Sequence, residues 1–295
     1  MSDRPFCAET SEENAEPLGA TASRVEHWLL IEYRGLWSRR PLDDSLLPDP
    51  VKARVREQLR ALPRARLLFI RRPERRGHEE LLCYFGRSRP GEQRFFRIRA
   101  KSHEDLRGLD LSASLAGEGS AEPLDHPLFL VCTHGKRDRC CARYGRPLYE
   151  ELRDQLADEW VWQSTHVGGD RFAGNLVCLP EGLYFGRVGR GEVGPLLDEY
   201  RGGRIYLERF RGRCSYDFPV QAAERAVRER TGLTGIHDLR LISAERDAVS
   251  WRVRFARNGT EEVQEAEVRA ELGDLAYLTC GAASLERPRR FVARV

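Results

Sequence analysis

Two short stretches of this 295-residue chain place metal-binding side chains where they could act together. The run CTHGKRDRCCARYG (132–145) carries Cys132, Cys140 and Cys141, and the run HVGGDRFAGN (166–175) carries His166 and Asp170. Eight residues separate Cys132 from Cys141, enough for a loop to wrap a small inorganic core. His166 and Asp170 lie four apart across Gly168 and Gly169, which let the backbone fold tightly around whatever the side chains hold. Thiolate and imidazole are soft-to-borderline ligands that suit iron–sulfur clusters and zinc. The spacing is not the C-x2-C of a zinc ribbon.

Other side chains read more plainly. Cys83 and Cys178 sit in apolar strand runs as small core residues, and Cys7 falls in a flexible acidic start. Cys214 and Cys280 occupy polar or glycine-flanked loops, and nothing in the sequence places either at the site. Lys136, Arg137, Arg139 and Arg171 form either a solvated charged surface or a docking face for an acidic redox partner. Asp138 could anchor an arginine or hydrogen-bond the loop, and His134 reads as exposed or as a donor to a ligand.

The elements that must position these groups repeat. HWLLIEY (27–33), a helix near 50–62, ARLLFIRR (65–72) and ELLCYFGR (80–87) make one series. HPLFLVC (126–132), a helix near 145–158, EWVWQST (159–165) and the pair NLVCLP and GLYFGRV (175–188) make the second. Leu148, Leu152 and Leu156 recur every fourth residue as one stripe of that helix. A strand–helix–strand unit followed by a hairpin is the thioredoxin order. The expectation is an α/β protein of two thioredoxin-like units, the first degenerate, with a β-rich C-terminal extension; two unrelated α/β segments are the alternative. The units are assigned to 1–120, 121–235 and 236–295, with a small, polar, acidic linker near 108–125. Both cysteine- and histidine-bearing runs leave the ends of adjacent strands, whereas the first unit has only RGLWSRRP and RRPERRGHEE there. Beyond the second unit come a short helix at 192–200, a longer one at 220–232 stopped by Gly232, and alternating strands with an Asn258-Gly259 hairpin turn.

Composition narrows the classes of function. Hydrophobic residues make up 41%, enough for a real core, and 49 basic residues face 46 acidic ones for a net charge of +3. That balance argues against nucleic acid or an anionic membrane as partner. No apolar run approaches the roughly 20 residues of a membrane helix, and the polar acidic start resembles no secretory or transit signal. A soluble cytoplasmic protein is expected, its cysteines thiols or metal ligands rather than disulfides. No C-x-x-C motif exists for dithiol chemistry, and vicinal Cys140 and Cys141 make a strained redox pair. A phosphatase loop would need Arg where Asp138 stands, and no Walker loop, dinucleotide fingerprint or nucleophile elbow is present.

CTHGKRDRCC followed by HVGGDRFAGNLVCLPEGLYFGRV resembles the sucrase/ferredoxin-like proteins, and GATASRVEHWLLIEYRGLW (19–37) and RGRCSYDFPVQAAERAVR (211–228) extend the likeness over most of the chain. The resemblance implies a thioredoxin-like [2Fe-2S] ferredoxin in the C-terminal half. In that pattern two cysteines eight residues apart and two histidines in H-x-G-G-H hold the cluster. Carried over, these roles fall on Cys132, Cys141 and His166, and the fourth on Asp170, where the sequence departs from the pattern. Two thiolates and two neutral imidazoles leave an oxidised cluster neutral. A carboxylate in place of one imidazole makes it one charge more negative, which lowers the potential and weakens that bond. Cys140 is the other candidate for the fourth ligand. The implied function is one-electron transfer to an unidentified redox partner protein rather than substrate turnover; no carboxylate pair supports sugar hydrolysis. A structural zinc site built from Cys132, Cys140 or Cys141 and His166, or a scaffold without metal, is the competing reading.

Overall fold

The fold is described from a computed structural model covering residues 5–116 and 121–295. The first unit follows α1 (Cys7–Glu13). Its strand β1 (His27–Glu32) is buried at every position, as a continuous apolar run requires when both faces of a sheet are covered. Helix α2 (Asp49–Ala61) starts with Pro50 in its first turn, where proline's fixed φ suits the helix and its missing N–H costs nothing. It returns the chain to β2 (Ala65–Arg71), parallel to β1; β3 (Leu81–Arg87) and β4 (Arg94–Ala100) then add antiparallel. Helix α3 (Leu111–Leu115) and the short β5 (Glu122–Pro123) lie where the sequence suggests a plain linker, of which 117–120 fall outside the described residues.

The second unit repeats the plan with β6 (Leu128–Cys132), α4 (Arg139–Gln155), β7 (Val161–Ser164), β8 (Leu176–Leu179) and β9 (Leu183–Phe185), followed by α5 (Val193–Arg201). Strands β6 and β7 are parallel, and β8 and β9 antiparallel, so both units have the thioredoxin-like order. Strand β10 (Phe210–Arg213) extends the far edge beside β9. The units fuse where β2 meets β7 antiparallel, Ile70 opposite Ser164 and Arg71 opposite Gln163. One ten-stranded sheet results, in the order β10-β9-β8-β6-β7-β2-β1-β3-β4-β5.

Alternation along the strands divides the core. Trp28 and Leu30 join Leu130, Trp162 and Tyr184 of the other unit on one face. On the opposite face Leu29, Ile31 and Phe69 pack with Val51 and Val55 of α2, and Phe129 and Val131 with Leu148 and Leu152 of α4. Each fully buried aliphatic side chain contributes about 1.5–3 kcal/mol, which pins α4 to its unit.

Helix α6 (Phe218–Thr231) ends at Gly232 in the left-handed conformation and packs on a separate sheet. That sheet is an antiparallel meander of β11 (Leu239–Arg246), β12 (Ser250–Arg257), β13 (Val263–Leu272) and β14 (Arg289–Arg294). Gly259, at φ 77°, sits in the turn between β12 and β13.

Three expectations are corrected. The helix expected near 145 begins at Arg139, because the Asp138 side chain accepts the Cys140 N–H at 2.8 Å and caps it. Cys140 and Cys141 therefore stand in a first helical turn and not in a loop. Cys7 is 2% exposed at the start of α1 rather than in a flexible tail, since its sulfur packs against those of Cys140 and Cys280. Strands β4, β10 and β14 were not anticipated; they lie at or near sheet edges, where exposed positions interrupt the apolar pattern of β4 and β14 and two buried arginines interrupt that of β10.

Candidate metal centre

Parallel pairing of β6 and β7 sets Cys132 opposite Ser164, so both strands end at one edge, with His166 two residues further on. Helix α4 comes back across this edge at very close range. A Cβ on Gly145 would lie 2.0 Å from the Cys132 carbonyl oxygen, so only glycine allows the approach. Cys141, four residues earlier on the same face of α4, is thereby delivered to Cys132.

The donor atoms of Cys132, Cys141 and His166 all lie within 4.8 Å of one another. His166 Nδ1 is 4.0 Å from the Cys132 sulfur and 3.8 Å from the Cys141 sulfur. Asp170 Oδ1 is 2.9 Å from His166 Nδ1 and 3.4 Å from the Cys141 sulfur, at the margin of the trio. Both cysteines and Asp170 are buried; the His166 side chain, 19% exposed, reaches solvent. Cys140 takes no part. Its sulfur turns the other way, 3.6 Å from that of Cys7 and 3.4 Å from that of Cys280.

Charge inside the site is shared unequally. A hydrogen bond from Cys141, with His166 beside it, holds the Cys132 thiol well below its ordinary range despite burial. Cys141 is pushed up in return, by its contact with Cys132 and by burial. Burial opposes the imidazolium of His166, but the Asp170 carboxylate and the Cys132 thiolate outweigh it and raise His166 to about 9. As arranged, protonated Nδ1 donates to Asp170.

Further residues fix the loops. His134, read from the sequence as exposed or as a donor to a ligand, is 2% exposed. Its Nε2 donates to the Ser38 carbonyl at 2.8 Å and its Nδ1 accepts the His166 N–H at 3.3 Å, which defines the tautomer. Ser38 and the neighbouring Trp37, edge-on to His134, belong to the first unit's RGLWSRRP segment. Arg66 of β2 also donates to the His166 carbonyl at 3.0 Å. The first unit thus braces the candidate donors of the second.

Arg211, fully buried, fastens the glycine loop: it donates to the Gly168 carbonyl at 3.0 Å and to Asn175 Oδ1 at 2.7 Å. Gly168 and Gly169 both have positive φ, and a Cβ on Gly169 would come within 2.3 Å of the guanidinium. Sequence reading missed Arg211; the available signal was a charged residue inside a short strand run. Of the expected cationic cluster, Lys136, Arg137 and Arg139 are exposed. Arg171 is not free, being paired with Glu16 at 2.8 Å and stacked on Phe172. Among the described residues no helix is long and apolar enough to cross a membrane.

Comparison with known proteins bears on the same region. A family model described as Sucrase/ferredoxin-like matches residues 18–212 of the 295. The chain is 33% identical over 105 residues to altered inheritance of mitochondria protein 32 of Meyerozyma guilliermondii, covering 32% of this chain and 37% of that protein. It is 28% identical over 109 residues to the protein of the same name from Eremothecium gossypii, covering 32% and 35% respectively. The matched region spans about a third of the length of these relatives. Among solved structures, a cysteine-to-serine variant of the thioredoxin-like [2Fe-2S] ferredoxin from Aquifex aeolicus aligns at 15% identity and a TM-score of 0.26, covering 29% of this chain and 97% of that one.

Proposed function

This chain belongs to the sucrase/ferredoxin-like family, and from that footing we propose that Cys132, Cys141 and His166 hold a [2Fe-2S] centre and that the protein carries single electrons. The observation that carries the reading is the meeting of two thiols and an imidazole, brought from three elements to one sheet edge. When bound, such a centre supplies reversible one-electron oxidation and reduction.

The residues suit that group in kind: two buried thiols and one imidazole that meet, with the Asp170 carboxylate in contact with Cys141 and His166. Each donor must shed its proton to bind metal, so Cys141 releases its thiol proton and His166 the Nδ1 proton it shares with Asp170. Asp170 is the fourth ligand in this reading. The direction of Cys140, whose sulfur lies beside those of Cys7 and Cys280, supports Asp170 over it. Because His166 is the donor nearest solvent, a bound centre would exchange electrons on its side. The exposed Lys136, Arg137 and Arg139, on the segment between Cys132 and Cys141, offer a docking face to an acidic redox protein. All eight cysteines are free thiols, in keeping with a reducing, cytoplasmic setting.

One observation favours a second reading, a mononuclear zinc site. Zinc bonds to sulfur and nitrogen imply tetrahedral donors about 3.5–3.8 Å apart, close to the 3.8 and 4.0 Å between His166 and the two sulfurs. Anaerobic purification with metal analysis and electron paramagnetic resonance of the reduced protein decides between them. A coloured protein with about two irons per chain supports the ferredoxin reading; a colourless protein with zinc at this site defeats it.

A further inference from the structure

The second sulfur of the vicinal pair leads to another cluster. Cys7 from α1, Cys140 from the first turn of α4, and Cys280 from the segment between β13 and β14 place their sulfurs in a near-equilateral triangle. The separations are 3.6 Å for Cys7 and Cys140, 3.4 Å for Cys140 and Cys280, and 3.6 Å for Cys280 and Cys7. The carboxylate of Asp138 completes the group: its oxygens lie 3.8 and 3.9 Å from the Cys7 sulfur, and all four donors fall within 4.8 Å of one another. We propose that Cys7, Cys140, Cys280 and Asp138 form a second, structural metal site that takes zinc.

Three arguments support this. The distances suit a tetrahedral ion, since zinc–sulfur bonds of about 2.3 Å hold sulfurs about 3.7 Å apart. They do not describe a disulfide, whose bonded sulfurs lie about 2.05 Å apart, and three thiols cannot all pair. Buried cysteines can also serve as small apolar filler, but filler needs no carboxylate. Asp138, 3% exposed, accepts the N–H groups of both Cys140 and Cys280, at 2.8 and 2.7 Å, and so steers two of the sulfur-bearing backbones.

Charge is also provided for. Three thiolates and a carboxylate around a divalent ion leave two negative charges, which the N-terminal end of α4 offsets. Arg139 and Arg143, both stacked on the Phe6 ring beside Cys7, add to that. Cys280 is the least buried donor and gives an ion its way in. The ion would tie together segments 133 and 140 residues apart in sequence, closing long loops onto α4 next to Cys141.

Zinc and iron are measured in the full-length chain purified anaerobically, as wild type and as Cys280→Ser. The expected result is about one zinc per wild-type chain, lost in Cys280→Ser while iron content is unchanged. Absence of zinc from the wild type, or the same zinc content in both proteins, would overturn the proposal. A second measurement guards against misfolding of that variant. The Cys132→Ser/Cys141→Ser double variant, reduced, stripped with chelator and titrated with Co(II), should bind about one equivalent. Binding should produce thiolate-to-cobalt charge transfer and tetrahedral d–d bands that Zn(II) abolishes. No thiolate band with Cys7, Cys140 and Cys280 still reactive as free thiols would equally overturn it.

Discussion

Cys140 and Cys141, adjacent in the first turn of α4, send their sulfurs to different places: Cys141 to His166 and Asp170, Cys140 to Cys7 and Cys280. Successive residues on a helix turn by about 100°. Because Asp138 starts the helix at Arg139, one side chain faces the sheet edge and its neighbour faces the terminal segments.

This divergence sets the first test. Cys141→Ala and Cys132→Ala are expected to lose the iron and its visible absorption, whereas Cys140→Ala should retain both. Equal loss in all three, in correctly folded protein, would remove the distinction between the two sulfurs.

In the proposed centre, Asp170 as fourth ligand would set the potential. Replacing its carboxylate with a neutral imidazole in Asp170→His removes one negative charge from the ligand set and should raise the midpoint potential by on the order of 100 mV. Redox titration followed by visible absorption reads this directly; an unchanged midpoint would show that Asp170 is not bound to iron.

Gly145 controls how closely α4 approaches Cys132. In Gly145→Ala the added methyl would overlap the Cys132 carbonyl at 2.0 Å, so the helix must move away from β6. Stability should fall by about 1–3 kcal/mol in urea denaturation. Iron occupancy should fall with it, since Cys141 moves with the helix.

Away from the centre, Glu224 is buried between Arg213 and Arg228, with Oε1 3.1 and 3.0 Å from their guanidiniums. Glu224→Ala leaves two buried cations without their partner and should cost about 3–5 kcal/mol. Burial raises the Glu224 pKa, but the two arginines overcome this and hold it below its ordinary 4.5. The folded-state value is therefore depressed. Its stabilisation is fully present above pH 4.5 and is lost as pH falls through the lower folded value. Glu224→Gln should lack this component of the acid transition, as measured by fluorescence-monitored unfolding against pH.

Apart from β4, β10 and the start of α4, the main strand and helix runs of both units, with the hairpin at Asn258-Gly259 and the stop at Gly232, were legible in the amino-acid order, because apolar period and turn chemistry are local properties. So were the donor types and the meeting of Cys132 with His166, since parallel strands joined by one helix end at the same edge. Tertiary structure alone decided the rest. The fusion of β2 with β7, the burial of His134 under Ser38, the Arg211 clamp and the convergence of Cys7 and Cys280 on Cys140 join segments tens to hundreds of residues apart. No local preference of the backbone encodes such contacts; they follow from which faces remain to be covered once the elements have packed.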